Sequence, residues 1–560
     1  MLLRILPYLP IPACEAMDEH SEATQTVRTR ISVAAILTAI AFAIIGARLV
    51  DLTILNAHGD GDIIAAQPVS HGMRADIVDR NGVLIARDLP VSDLYATPAA
   101  FWDTEEAAIG LASRTSAPAS RLREIFAPKR GYVLVARGLT PDARAEVMHL
   151  GLPGLFFEDG FRRVYPNGRI VSHVVGQVDP DGNGISGLEL GLDEMVREGQ
   201  DPVALSLDMR VQFALLDALG KTKDAFQAKA AGGLVLDIHS GEVLAMVSLP
   251  DYEPSARRLG DGDSIRNRMT QDIYELGSIF KIFAFAQAID EEAITLDERF
   301  VVDQPLRFGR YSIGDYGVHG HDLSAALVFA KSSNIGTAKI GLRLGAERQR
   351  AFLTKLGLLA SLKTEIPESA SPLFPNRWNK IETATISYGH GISVSPLMFA
   401  TAAAAIANGG TKITPTLLKN EDGLANNSAP SERVISERAS QTMRALLRLA
   451  VTEGTGGNAD VPGYLVGGKT GTAEKPTAFG YSRKLQITSF AAIFPSNDPK
   501  YLVFTMFDEP IGNKESSGFA TAGWTAAPAA GQVIARIAPI LGVPASLETL
   551  IPAEMASASP

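Results

Sequence analysis

Ser278 and Lys281 stand three residues apart in the stretch Tyr274-Glu275-Leu276-Gly277-Ser278-Ile279-Phe280-Lys281. On a helix that spacing puts both side chains on one face, and Ile282, Phe283, Phe285 and Ile289 behind them read as a buried helix. A serine hydroxyl is inert at its own pKa and needs an adjacent base; a desolvated lysine with a lowered pKa can serve. Gly277 lets the chain turn sharply, and Ser278 at the helix N-terminus would face unpaired N–H groups that favour developing negative charge. The chemistry on offer is attack of an activated serine. Ser-x-x-Lys is short enough to recur by chance, so the pair alone does not decide it.

Two further motifs follow in order. Ser332-Ser333-Asn334 comes after the helical-looking Leu323 to Lys331, and Lys469-Thr470-Gly471-Thr472 comes after the apolar Tyr464-Leu465-Val466. The elements that must position them are legible. Gly232 to Ile238, the turn His239-Ser240-Gly241 and Glu242 to Leu249 read as a hairpin of a central sheet, to which Ile487 to Phe494 and Leu502 to Phe507 add strands. Ser387 to Pro396 leads into an Ala-rich helix. Upstream, residues 67–222 read as a mixed α/β region without catalytic features. Its stations are the hairpin around Asp79-Arg80-Asn81-Gly82 and the turn-rich stretches Phe161 to Gly168 and Gly184 to Glu189.

The chain has 560 residues, 46% hydrophobic and 20% charged, which allows two or three domains with full cores. A net charge of -10 without long basic blocks argues against nucleic acid as a partner. Cys14 is the only cysteine, so no disulfide forms within the chain. Ile31 to Ala47 is an uncharged apolar run of roughly 25 Å as a helix. Leu49, Val50 and Leu52 extend it, Arg28 and Arg30 precede it, and Arg48 and Asp51 follow. We expect a retained single-pass anchor over 31–52 with residues 1–30 inside; a cleaved signal peptide or a core helix is the rival. Pro7, Pro10 and Pro12 break any earlier helix, and Met17 is an alternative start.

Two patterns invite other readings. Gly463 to Thr470 satisfies the nucleotide-binding loop pattern, but Gly471, Pro476 and Gly480 leave no helix to hold phosphate. His319 and His321 lack a third ligand in view, so no metal is expected.

The three motifs in this order resemble class B penicillin-binding proteins. The arginine-rich opening with Asp79-Arg80-Asn81-Gly82 and the entry hairpin carry the likeness from about residue 70 to 540. Ala75 replaces a usual Gly, Leu276 a frequent Pro, and Pro254 is followed by Ser255 in place of Asn. The implied fold class is α/β: a serine β-lactamase-like transpeptidase domain, with a central antiparallel sheet flanked by helices, over 226–545. An α/β pedestal domain of dimerisation type over 53–225, the transmembrane helix and a tail over 546–560 complete it.

The implied activity is peptidoglycan D,D-transpeptidation through a serine acyl-enzyme, inhibited by β-lactams and needing no cofactor. Ser278 would attack the penultimate D-alanine carbonyl with Lys281 as base, while Ser332 and Asn334 carry the proton and hold the Lys281 amine. Lys469 would lower the Lys281 pKa and attract the substrate carboxylate, to which Thr470 and Thr472 of Lys469-Thr470-Gly471-Thr472 hydrogen-bond. Backbone N–H groups of Ser278 and Thr472 would form the oxyanion hole. The implied location is the inner membrane with the catalytic domain periplasmic, beside a glycan polymerase of the FtsW type and other division proteins. The wording Asp-Arg-Asn-Gly and Tyr-Glu-Leu-Gly-Ser looks closer to the division-specific type than to the elongation type. A catalytically silent scaffold is the reading from another class.

Overall fold

The computed structural model describes residues 33, 35–43, 45–46, 73–127, 131–256, 262–317, 320–420, 432–477 and 480–546. The chain forms two compact units, Met1–Ser70 and His71–Pro560. In the first, the described residues between 33 and 46 are helical. Among the described residues no helix is long and apolar enough to cross a membrane. The expected tail over 1–30, most of the anchor over 31–52 and the C-terminal tail beyond Ser546 lie outside the described residues.

The second unit opens with strands β1 (Ile77–Val78), β2 (Leu84–Ala96), β3 (Val133–Leu139) and β4 (Leu155–Val164). The β1–β2 turn is built by Asp79, whose Oδ1 accepts from Asn81 N at 2.7 Å and Val83 N at 2.8 Å. Gly82 alone takes the left-handed conformation there, with φ 84°. Strand β2 runs far beyond the expected Ala86, because β3 and β4 pair with it on both sides. Two short strands, β5 (Gln177–Val178) and β6 (Gly184–Ser186), form a hairpin, and β7 (Val203–Ala204) pairs with β1.

The three sequence stations of this region meet in one buried ion cluster. Glu189, with no exposed surface, accepts from Arg74 Nη2 at 2.8 Å and from Arg163 Nε at 2.6 Å. Arg163 also reaches Asp88 at 3.3 Å. Each charge has a partner of opposite sign, the condition under which burial is tolerated.

Strands β8 (Ala230–Asp237) and β9 (Val243–Leu249) follow helix Met209–Ala225. After the short strands β10 (Arg299–Val301), β11 (Leu306–Phe308), β12 (Tyr311–Ile313) and β13 (Asp322–Ser324) come β14 (Gly467–Thr477), β15 (Gly480–Phe494) and β16 (Tyr501–Asp508). The central sheet has the order β14-β15-β16-β8-β9, every pair antiparallel. Alternate side chains point to opposite faces. Val235, Val503 and Phe507 pack under helices Met209–Ala225 and Ala526–Ile540. Leu234, Leu236, Phe504 and Met506 pack under helices Lys281–Asp290, Pro396–Ala407 and Glu437–Thr452. Both faces are therefore covered, which explains the nearly unbroken apolar strands. The helix–sheet–helix layering is the one expected from the sequence.

Candidate active site

Ser278 lies in a single 3-10 turn, Gly277–Phe280, and the α-helix begins only at Lys281. The expected α-helical placement is thus tightened. In a 3-10 turn side chains at i and i+3 eclipse, which brings Ser278 directly alongside Lys281. The turn is set by Gly277, at φ 61°, whose N–H donates to Gly389 O at 3.3 Å. The helix behind it is mostly apolar and buried, with Phe280, Phe283 and Phe399 rings in mutual contact.

Lys281 Nζ is 3.1 Å from Ser278 Oγ, 2.5 Å from Ser332 O, 3.1 Å from Ser332 Oγ and 2.8 Å from Asn334 Oδ1. The Ser332 carbonyl and Asn334 Oδ1 can only accept. They take the two N–H bonds of a neutral amine and leave its lone pair for the Ser278 proton. Asn334 Nδ2 donates to Gly314 O at 3.3 Å, which fixes the amide with its oxygen toward Lys281. Burial is the main force holding the Lys281 pKa well below the usual lysine value; the nearby Lys469 charge adds to it and Asp315 opposes it.

Lys469 projects from β14, fully buried, and donates to Ser332 Oγ at 2.9 Å. Burial brings its pKa down to about 7. Ser332 Oγ therefore sits between two lysine amines, and Ser332 itself adopts the left-handed conformation, φ 64°. A non-glycine residue held there is strained by the surrounding fold, a condition that clusters at functional sites.

Strand β14 is the edge of the sheet and lies against the nucleophile turn. A Cβ on Gly471 would lie 2.4 Å from Leu276 O, so only glycine lets the strand approach this closely. The Thr470 hydroxyl hydrogen-bonds the Thr455 hydroxyl, and Thr472 Oγ1 accepts from Ala522 N at 3.1 Å. The structure thus gathers Ser278, Lys281, Ser332, Asn334 and Lys469 at one point, with Thr470, Gly471 and Thr472 on the adjoining strand. The Gly463 to Thr470 pattern runs into this strand and starts no helix. His321 Nδ1 is 2.7 Å from Asp303 Oδ2, while His319 lies outside the described residues.

Three residues near the site escape sequence reading. Asp315 accepts from the Ser333 hydroxyl and the Asn334 N–H, both at 2.6 Å. Thr455 touches Thr470, and Glu275 accepts from Tyr481 Oη at 2.9 Å with His390 Nδ1 3.2 Å from its other oxygen. None belongs to a fixed-spacing motif; only the extreme proximity of Glu275 to Ser278 offered a signal.

The model of the penicillin binding protein transpeptidase domain matches residues 231–529, and that of the penicillin-binding protein dimerisation domain matches 69–198. The chain belongs to the class B penicillin-binding protein transpeptidases. The class B chain is 43% identical to the probable peptidoglycan D,D-transpeptidase FtsI of Caulobacter vibrioides, over 84% of this chain and 82% of that one. It is 31% identical to the probable peptidoglycan D,D-transpeptidase PenA of Neisseria meningitidis, over 89% and 91%. Among solved structures, penicillin binding protein 3 of Mycobacterium tuberculosis in complex with aztreonam superposes with a TM-score of 0.67 at 26% identity, covering 85% of this chain and 98% of that one.

Proposed function

We propose that the chain is a peptidoglycan D,D-transpeptidase that cross-links stem peptides in septal wall synthesis and is acylated by β-lactams. The observation that carries this reading is the Lys281 amine, fully buried and within 3.1 Å of Ser278 Oγ while two acceptor-only oxygens hold its N–H groups. The division role is supported by the FtsI relative at 43% identity. The intact constellation speaks against a silent scaffold.

In this reading Ser278 Oγ attacks the penultimate D-alanine carbonyl and its proton passes to Lys281 Nζ. The oxyanion is met by the N–H groups of Ser278 and Thr472, each donor typically worth about 2.7–4 kcal/mol. The tetrahedral species collapses by breaking the C–N bond, and the proton returns through Ser332 Oγ to the departing D-alanine amine. The amine of a second stem peptide then attacks the acyl-enzyme and frees Ser278. Lys469, Thr470 and Thr472 hold the terminal carboxylate, and the free edge of β14 offers main-chain pairing to the extended peptide. The pedestal over 53–225, the transpeptidase domain over 226–545 and a single-pass inner-membrane anchor over 31–52, with the catalytic domain periplasmic, belong to the same reading. The apolar run from Ile31 and the two family matches support them. A membrane-embedded glycan polymerase of the FtsW type is the partner that the family resemblance implies.

The test is labelling of the folded protein with a fluorescent penicillin, followed by proteolysis and mass spectrometry. The adduct is expected on the peptide that contains Ser278. No adduct, or one on another residue, would overturn the reading.

A pH profile follows. Acylation needs Lys281 neutral and Lys469 charged, so the second-order acylation rate should rise with pH through the depressed Lys281 pKa. It should then fall as Lys469 loses its charge near pH 7 in the free enzyme. A rate that climbs without a falling limb would show that the Lys469 charge does not assist.

A further inference from the structure

The Ser332-Ser333-Asn334 turn is held from outside the three motifs. Strands β11 and β12 form a two-stranded hairpin that pairs with no other described strand, and its second arm runs into Gly314 and Asp315. Asp315 Oδ1 accepts from Asn334 N at 2.6 Å and Ile335 N at 2.9 Å, and Oδ2 accepts from Ser333 Oγ at 2.6 Å. The neighbouring Gly314 carbonyl takes Asn334 Nδ2. The plain explanation is a cap on helix Asn334–Leu344. That helix already has its cap, however: Ser333 Oγ accepts from Gly336 N at 3.0 Å. The carboxylate adds something else. It clamps the backbone just after Ser332, the residue in the strained left-handed conformation, and it sets the plane from which Asn334 reaches Lys281.

We propose that Asp315 is a positioning residue for acylation, keeping the Ser332–Asn334 turn where Ser332 Oγ lies between the Lys281 and Lys469 amines and Asn334 Oδ1 meets Lys281. The proposal rests on Ser278 as the nucleophile. Asp315 acts through the turn. The charged groups that bear on Lys281 are Lys469 from β14 and Asp315 from the hairpin, of opposite effect. Loss of the carboxylate charge therefore lets the Lys281 pKa fall further.

The experiment compares wild type, Asp315→Ala and Asp315→Asn for penicillin acylation rate across pH, with thermal midpoints measured alongside. Asp315→Ala should acylate about 10²-fold more slowly, the order of loss that a displacement near 1 Å brings. Asp315→Asn keeps an acceptor oxygen for the two N–H groups and should recover much of that rate, with its rising pH limb moved to lower pH. A mere cap would lower the midpoint and leave the acylation rate of the folded protein near wild type, whichever way the limb moves. The inference is overturned if folded Asp315→Ala acylates as wild type does, or if Asp315→Asn acylates no faster than Asp315→Ala. Should Asp315→Ala fail to fold, Asp315→Ser, too short to span both backbone N–H groups, takes its place in the comparison. An absence of labelling in wild type would instead strike the proposed function, so the two failures are distinguishable.

Discussion

Lys281→Met is expected to lower the second-order acylation rate by about 10²- to 10⁴-fold, the range a positioned general base supplies. The amine has no exposed surface, so no water can replace it as base without opening the site. Stability should move little, because two effects oppose. An apolar side chain of similar volume carries no cost of desolvating an amine. Against this, Ser332 O and Asn334 Oδ1 lose their donor, each at a cost of about 1–3 kcal/mol. Stopped-flow acylation and a thermal melt on the same preparation separate chemistry from folding. A rate within tenfold of wild type would remove Lys281 from the base role and shift attention to Lys469 acting through Ser332.

Gly389→Ala should cost nearly as much without touching a reactive atom. Gly389 has φ 82°, and a Cβ there would lie 2.2 Å from Gly277 O and 2.9 Å from Phe280 Cβ, against the turn that bears Ser278. The left-handed backbone adds about 1–2 kcal/mol and the overpacking roughly 1–3 kcal/mol. The strain is relieved by moving the nucleophile turn, and displacement by about 1 Å carries a loss near 10²-fold. Gly391→Ala is the control. It shares φ 82°, but its Cβ would meet only Thr385 Oγ1 at 3.8 Å. Gly391→Ala should lower the thermal midpoint through backbone strain and keep its acylation rate. Equal losses of rate in both variants would show that strain, and not contact with Gly277, governs the site.

Much of the site was legible because its parts sit in short motifs. Ser332-Ser333-Asn334 and Lys469-Thr470-Gly471-Thr472 were recognisable as motifs in order, without the turn and the strand that carry them, and the spacing of Ser278 and Lys281 could be placed on a helix. The type of helix could not: a 3-10 turn at Ser278 is imposed by Gly389 and β14, residues that no local periodicity connects to it. The glycines of the nucleotide-loop pattern were equally opaque in purpose. Gly468 makes room for the Phe490 ring and Gly471, just past the pattern, for Leu276 O, so they serve close packing in this fold. Asp315 was invisible because tertiary folding alone carries the β11–β12 hairpin over the Ser332 turn. The upstream region followed the same rule. Its turns were readable, whereas the meeting of Arg74, Arg163 and Glu189 depends on strands whose pairing sequence does not specify.

The order of strands in the central sheet has a consequence for how the protein is made. Strand β8 is synthesised first, yet one of its two neighbours is β16, and β14 joins the sheet only through β15 and β16. A nascent chain that already displays Ser278 and Lys281 therefore has no place to dock Lys469 until Tyr501–Asp508 has emerged. Up to that moment one edge of β8 is unpaired and its apolar side chains, along with those of helix Lys281–Asp290, lack their covering. Such long-range pairing is slow to form and open to aggregation while it waits. The chain carries its nucleophile and base first and gains the Lys469 side of the site late in its own synthesis.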